Sequence, residues 1–391
     1  MDGGWFGLLA PGWLLWLAAT ALGHHLLPAR WQIAWSAASC AAFLFEVDPL
    51  SLACLVALTA GTLLATAPGR RTGATVAGLV LTCLGFLAFF KLLVGSVDVP
   101  GAVAIGMPLG LSYYAFRCIH YAIERYRGRL PLHGLRESVG YLFFLPTLMA
   151  GPIHRFDAYH RDLAPRAAAV ATGDLAAGLE RLAYGYFKIV VLANFLIGAR
   201  LVPFVAQLPA PDGFAATYLA MIAGAANGYL QFAGYSDVAI GFARLLGFTV
   251  IENFDRPFLA RNLVEFWQRW HISLTSWCRD YVFNTVTTLT RRPYLAALLT
   301  MLAIGLWHEL SPRYLLWGLW HGAGLVACYR WAAWRERLPA LAVPALRPAL
   351  DLLAILVTVH FVMLSFVLVQ RPDLDAAATA YRVLLVDWWW Q

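Results

Sequence analysis

Three stretches of this sequence run the length of a membrane crossing with almost no charge, and they limit the possible folds more than any other feature. Leu50 to Pro68 and Leu352 to Val369 contain no Asp, Glu, Lys or Arg, and Ala74 to Val97 contains only Lys91. At 1.5 Å per residue, about 20 helical residues cross the ~30 Å of hydrocarbon in a bilayer. Inside lipid every backbone N–H and C=O must find an internal partner, so such runs are expected to be helices. Barrel strands alternate over about 10 residues, a pattern these runs lack. Composition points the same way: 13% of the residues are charged and 61% hydrophobic, against roughly 25% and 45–50% in soluble domains. So few charges cannot cover a water-facing surface.

The expected fold is therefore an all-α, polytopic integral membrane protein with about ten to twelve transmembrane or re-entrant helices. Candidate spans lie near 5–22, 31–47, 50–67, 74–97, 101–123, 173–206 (bent or double), 213–245, 294–309, 313–331 and 352–370, with 138–153 and 262–285 harder to place. Trp5 to Leu22 lacks the basic start and small-residue cleavage site of a signal peptide and reads as a retained helix. The expected division is 1–100 as N-terminal transmembrane helices, 101–340 as the functional core and 341–391 as a C-terminal transmembrane segment.

Arginine clusters at Arg70-Arg71, at Arg125 to Arg136, at Arg155 to Arg166, at Arg291-Arg292 and at Arg330 to Arg337 mark expected cytoplasmic loops. Two of them flank Tyr141 to Pro152, which is too short to cross and fits a re-entrant segment covered by protein. The net charge of +7 then reports those loops and contact with anionic membrane lipid rather than nucleic acid. Six scattered cysteines, mostly in apolar segments and without a CxxC pair, suggest neither a disulfide framework nor a zinc cage.

Polar residues are costly inside such a chain, and they concentrate between Gly228 and Gly322. Asp237 lies in an apolar helical stretch, and Glu252 to Phe258 reads as a polar turn. In the segment that follows, Trp267, Trp270, Leu274, Trp277 and Tyr281 recur at helical spacing, with His271 and Arg279-Asp280 between or beside them. An interfacial amphipathic helix with an aromatic belt is the alternative reading of that pattern. Further on, His308 stands between Trp307 and Glu309, and His321 between Trp320 and Gly322. A neutral imidazole can take a hydroxyl proton near physiological pH, which suits a general base. The spacing of the three histidines matches no local zinc pattern, and no metal is expected.

Several blocks in this order carry a recognisable pattern: Leu111 to Phe116, Ala150 to Ile153, Gly185 to Lys188, Gly234-Tyr235-Ser236-Asp237, Glu252-Asn253-Phe254, Phe266 to Leu274, Arg279-Asp280-Tyr281 and Gly305-Leu306-Trp307-His308. Together they resemble the bacterial branch of the membrane-bound O-acyltransferase family, which includes membrane proteins of alginate O-acetylation and teichoic-acid D-alanylation. The resemblance implies that His308 matches the family's essential histidine and His271 its supporting one. It makes Trp270, Trp307, Asp237, Arg279, Asp280, Glu309 and His321 candidates for substrate binding or support.

The implied reaction moves an acyl group, acetyl by default, from a thioester co-substrate (acetyl-CoA or an acyl carrier protein) to hydroxyls of a cell-envelope or secreted glycan or glycolipid. No cofactor is expected to stay bound. The implied location is the bacterial cytoplasmic (inner) membrane, with an extracytoplasmic partner protein. Three departures from the pattern bear on donor and acceptor. Gln231 stands for a usual Asp, Glu309 for a usual Gly, and Asn284 to Arg292 replaces a Gly-Gly-Asn-Arg loop. The last of these favours D-alanyl or other carrier-borne acyl transfer as an alternative. A transporter or flippase with a histidine proton relay, and a pure scaffold, are rivals of another class. For His321, helix packing beside Gly318 and Gly322 is an equal reading.

Overall fold

A computed structural model of the chain describes residues 11–96, 107–149, 151–163, 172–336 and 346–387. The start of the first expected span, residues 101–106 of the fifth, and Ala150 of the second sequence block lie outside the described residues. The helices run in order α1 (Pro11–Leu26), α2 (Ala29–Val47), α3 (Pro49–Ala65), α4 (Gly73–Ser96), α5 (Leu111–Tyr126), α6 (Leu135–Leu142), α7 (Phe156–Leu163) and α8 (Thr172–Tyr186). A wide π-helical stretch, Phe187–Leu201, follows directly, then α9 (Val202–Ala206), α10 (Phe214–Leu245), α11 (Leu263–Arg269) and α12 (Ile272–Cys278). A short π turn (Arg279–Phe283) leads to α13 (Asn284–Thr290), α14 (Pro293–His308), α15 (Pro312–Arg335), α16 (Arg347–Gln370) and α17 (Leu374–Leu385). Among the described residues there is no strand, only an isolated antiparallel bridge between Phe254 and Trp270.

Local chemistry starts and stops these helices. Asp48 caps α3 by accepting from the Leu50 N–H at 3.1 Å, with Pro49 in the first turn, where its missing N–H costs nothing. Asn262 caps α11 through the Glu265 N–H at 2.9 Å, and Asp373 caps α17 through the Ala376 N–H at 2.7 Å. Gly73–Leu92, Asp174–Ala206 and Arg347–Gln370 are long and apolar enough to cross a membrane, and Pro49–Ala65 and Pro293–His308 are apolar but shorter. The expected "bent or double" 173–206 is thus one helical run, its middle widened to π geometry. Large apolar side chains are exposed along α4 (Leu81, Leu84, Phe89) and α16 (Leu352, Leu353, Leu356), while Thr358 and Ser365 are buried. Apolar groups outward with polar groups inward suits lipid as solvent.

The residues form two compact units, Met1–Gly185 with Tyr235–Ile251, and Tyr186–Gly234 with Glu252–Gln391. In the first unit the fully buried guanidinium of Arg117 on α5 donates to the carbonyls of Tyr141 (3.3 Å) and Phe144 (3.1 Å) and to the Thr147 hydroxyl. Carbonyls at the end of α6 carry partial negative charge, so Arg117 holds the short 135–147 segment at its centre. The expected re-entrant piece, Tyr141 to Pro152, overlaps it in the end of α6 and the 3-10 turn Leu145–Thr147.

Also in this unit, α8 packs on residues 235–245 of α10 through a reciprocal charge pattern. Asp174 meets Arg244 at 3.1 Å, Gly178 meets Gly241, and Arg181 meets Asp237 at 2.7 Å. A Cβ on Gly241 would stand 2.8 Å from the Gly178 carbonyl oxygen, so only glycine allows this approach.

Candidate active site

In the second unit α14 and α15 form an antiparallel hairpin. Pro293 and Pro312 each occupy the first turn of their helix, and Ser311 caps α15. Three residues, Glu309 to Ser311, connect them, so His308 sits exposed at the last position of α14, facing the start of α15. Its ring stacks on Tyr314 (centroids 5.7 Å apart) and meets Trp317 edge-on at 5.8 Å. The half-buried Trp307 lies against it, ring centroids 4.6 Å apart.

The expected amphipathic helix across 267–281 is broken. The 254–270 bridge ends α11 at Trp270, and His271 takes a left-handed conformation (φ 46°) before α12 begins. Tertiary bonds overrule the helical spacing here. The Asp255 N–H donates to the Arg269 carbonyl at 3.0 Å and the Ile272 N–H to the Asn253 carbonyl at 2.9 Å. A non-glycine residue at positive φ is uncommon and costs energy that surrounding bonds must offset. The kink turns the His271 ring inward, where it is 2% exposed. The ring packs edge-on against Phe232 at 4.6 Å and lies 6.2 Å from the Trp307 ring. His271 Nδ1 lies 3.1 Å from Oδ1 of the buried Asn253, which also receives the Ser273 N–H at 3.2 Å and its hydroxyl at 2.8 Å.

The Trp307 ring therefore lies near both histidines, 6.2 Å from the His271 ring and 4.6 Å from that of His308. Trp270 packs away from this pair, stacked on Phe266 (5.5 Å) and ringed by Phe254, Tyr229 and Phe258. His321 is 1% exposed, bonded through Nε2 to the Ser365 hydroxyl at 2.9 Å and packed on Trp317 (4.6 Å) and Trp267 (5.2 Å). That environment supports packing for His321, with Trp317 linking it to His308. Glu309 is held by Arg313 through both carboxylate oxygens (2.9 and 3.2 Å), and Arg313 also donates to the Arg371 carbonyl.

Arg279 pairs with Asp280 at 3.3 Å, the Arg279 side chain being 62% exposed. Asp237 belongs to the first unit, where it pairs with Arg181. Asn253, Ser273, Phe232, Trp317 and Arg313 carry the local geometry without having been singled out by sequence. Two sequence blocks hinted at members of this set: Glu252-Asn253-Phe254 at Asn253, and Phe266 to Leu274 at Ser273.

The description of the membrane-bound O-acyltransferase family matches residues 79–367. The probable alginate O-acetylase AlgI of Pseudomonas aeruginosa is 34% identical over 289 residues, 73% of this chain and 53% of that protein. The teichoic acid D-alanyltransferase of Bacillus subtilis is 32% identical over 277 residues, 66% of this chain and 67% of that protein. The peptidoglycan O-acetyltransferase of Helicobacter pylori is 26% identical over 306 residues, 69% of this chain and 55% of that protein. The chain is an all-α, multi-pass membrane protein and belongs to the membrane-bound O-acyltransferase family. It spans about half the length of the alginate-acetylase relatives it matches.

Proposed function

We propose that the chain transfers an acyl group, acetyl by default, from a thioester to a hydroxyl of a cell-envelope or secreted glycan or glycolipid. The observation that carries this reading is that an exposed histidine at a helix end, His308, and a buried one, His271, both lie beside the Trp307 ring. His308, reachable by substrate, takes the proton of the attacking hydroxyl. As the new C–O bond forms at the thioester carbonyl, the C–S bond breaks, and His308 returns the proton to the leaving thiolate. The products are an ester and a free thiol, which balances the step. The names of relatives that acetylate alginate or peptidoglycan support an envelope polymer as acceptor. Acetyl-CoA or an acylated carrier protein is the donor by this reading. The setting is the bacterial cytoplasmic membrane, with an extracytoplasmic protein presenting the polymer.

A second reading, D-alanyl transfer from a carrier protein, draws on the Bacillus subtilis relative and on the Asn284 to Arg292 segment, which is built here as α13 and its cap. Mass spectrometry of envelope-glycan esters tests both readings, using cells carrying wild type, His308→Ala at equal membrane level, or no protein. Ester found only with wild type supports transfer, and the lost mass distinguishes acetyl from alanyl. Full esterification by His308→Ala removes His308 from the mechanism. No change in any ester makes transport the leading reading.

A further inference from the structure

We propose that Asn253 is a positioning residue that fixes the tautomer of His271, so that His271 meets the substrate with a bare Nε2, as an acceptor. The role given to His271 rests on the acyl-transfer reading above; the tautomer rests on the geometry alone. The Ser273 backbone N–H points at the Asn253 side-chain amide, 3.2 Å away. A backbone N–H can only donate, so the amide atom it faces is the oxygen and not the NH2 group. The Ser273 hydroxyl, 2.8 Å away, donates to the same oxygen. His271 Nδ1 lies 3.1 Å from that oxygen, which carries no proton, so Nδ1 must be the donor. A neutral imidazole has one ring proton, and Nε2 is left with a lone pair.

The surroundings hold this arrangement in place. The Ile272 N–H bonds to the Asn253 backbone carbonyl at 2.9 Å, so main chain and side chain of one asparagine grip both sides of the kink at His271. Phe232 blocks ring rotation from the edge. Nε2 is buried, and no described residue donates to it. A buried acceptor left unmet is costly, and a donor on the substrate would relieve that cost.

The consequence for the reaction is specific. A neutral His271 cannot donate an N–H from Nε2 to the oxyanion, so oxyanion stabilisation falls to other groups. The single proton of the attacking hydroxyl goes to His308, so Nε2 of His271 takes a different O–H or N–H of the substrate. A neighbouring sugar hydroxyl, or the amino group of an alanyl donor, fits that description. Burial, with a smaller contribution from His308 on α14, holds His271 well below the ordinary imidazole range; the groups packed on its ring, Asn253, Ser273, Phe232 and Trp307, are uncharged.

Nitrogen-15 NMR of the full chain in lipid bilayers, labelled at histidine, reads the tautomer directly. Subtracting the spectrum of His271→Gln isolates the His271 signals. The expected wild-type pattern is a protonated Nδ1 and an unprotonated Nε2, with that preference lost in Asn253→Ala. Should Asn253→Ala fail to accumulate, Asn253→Asp keeps the acceptor oxygen. It should retain the Nδ1 proton and extend imidazolium formation to higher pH by about one unit or more, as a carboxylate neighbour does. A protonated Nε2 in neutral wild type, or an Asn253→Ala tautomer equal to wild type, overturns the proposal. Ester content in cells carrying His271→Gln is the separate arm. Full esterification there removes the role in transfer, whatever the tautomer.

Discussion

Gly305 and Gly318 face each other across the α14–α15 hairpin so closely that a Cβ built on Gly305 would stand 3.4 Å from the Gly318 Cα. The same Gly305 Cβ would run into the Tyr314 carbonyl oxygen, and a Cβ on Gly318 would stand 2.8 Å from the Met301 carbonyl oxygen and 3.0 Å from the Leu302 Cα. These are backbone atoms, which cannot swing aside as a side-chain end can. Gly322 continues the stripe against Leu298, the small-xxx-small spacing by which membrane helices approach. His308 follows Gly305 by less than one turn, so the spacing of the two backbones sets its distance from Tyr314 and Trp317.

Gly318→Ala should therefore cost about 1–3 kcal/mol, as overpacking does, and reduce ester formation per folded molecule by displacing His308. Gly228→Ala in α10 is the control, because among the described residues a Cβ there would meet only Phe366, at 4.0 Å. Thermal unfolding followed by fluorescence in nanodiscs, together with envelope ester content, checks both variants. If Gly318→Ala matches Gly228→Ala, the close approach has no consequence.

The membrane helices were legible because α3, α4 and α16 carry long apolar runs with almost no charge, a signal that needs no knowledge of distant residues. The break at His271 was not legible. Trp267, Trp270, Leu274, Trp277 and Tyr281 keep helical spacing straight through it, and the bonds that kink the chain come from Asn253 and Asp255, on a separate loop. Tertiary hydrogen bonds override propensity in this way wherever backbone groups have a better partner than their own helix. The partner of Asp237 was hidden for a similar reason: Arg181 lies far along the chain, and only the packing of α8 on α10 brings the two together.

That pair gives the second prediction. The Asp237 side chain is 3% exposed and that of Arg181 31%. Removing one partner of a buried pair costs about 3–5 kcal/mol, and the partial exposure of Arg181 puts the expectation at the low end. Asp237→Ala and Arg181→Ala should each lower the unfolding midpoint, and the double variant should lose less than the two losses added together. Purely additive losses would show that the two side chains do not support each other. Asp237→Asn should keep ester formation per folded molecule if the pair serves the packing of α8 on α10. A loss of ester at an unchanged midpoint would instead assign Asp237 a direct part in the chemistry.

Glu309 follows His308 immediately, and two roles are open to its carboxylate: making the imidazole more basic, or anchoring the loop. The geometry favours the anchor. Arg313 holds both carboxylate oxygens and also the Arg371 carbonyl, tying the start of α15 to the end of α16 just beyond His308. The Glu309 side chain is 43% exposed, and an i,i+4 ion pair of that kind contributes roughly 0.3–0.5 kcal/mol. Glu309→Gln should therefore leave ester formation within about threefold of wild type. Arg313→Ala gives up both the carboxylate and the Arg371 carbonyl, and should cut ester formation by about tenfold, the size expected when about 1.4 kcal/mol of positioning is lost. Arg313→Lys should recover only part of that, because an ammonium cannot grip a carboxylate and a carbonyl with one planar fork. The pH dependence of ester formation by membranes decides between the roles. An anchor leaves the acid limb where it is in all three variants. If the carboxylate acted on the imidazole, Glu309→Gln would move that limb toward lower pH by about one unit, because removing a neighbouring anion disfavours the imidazolium.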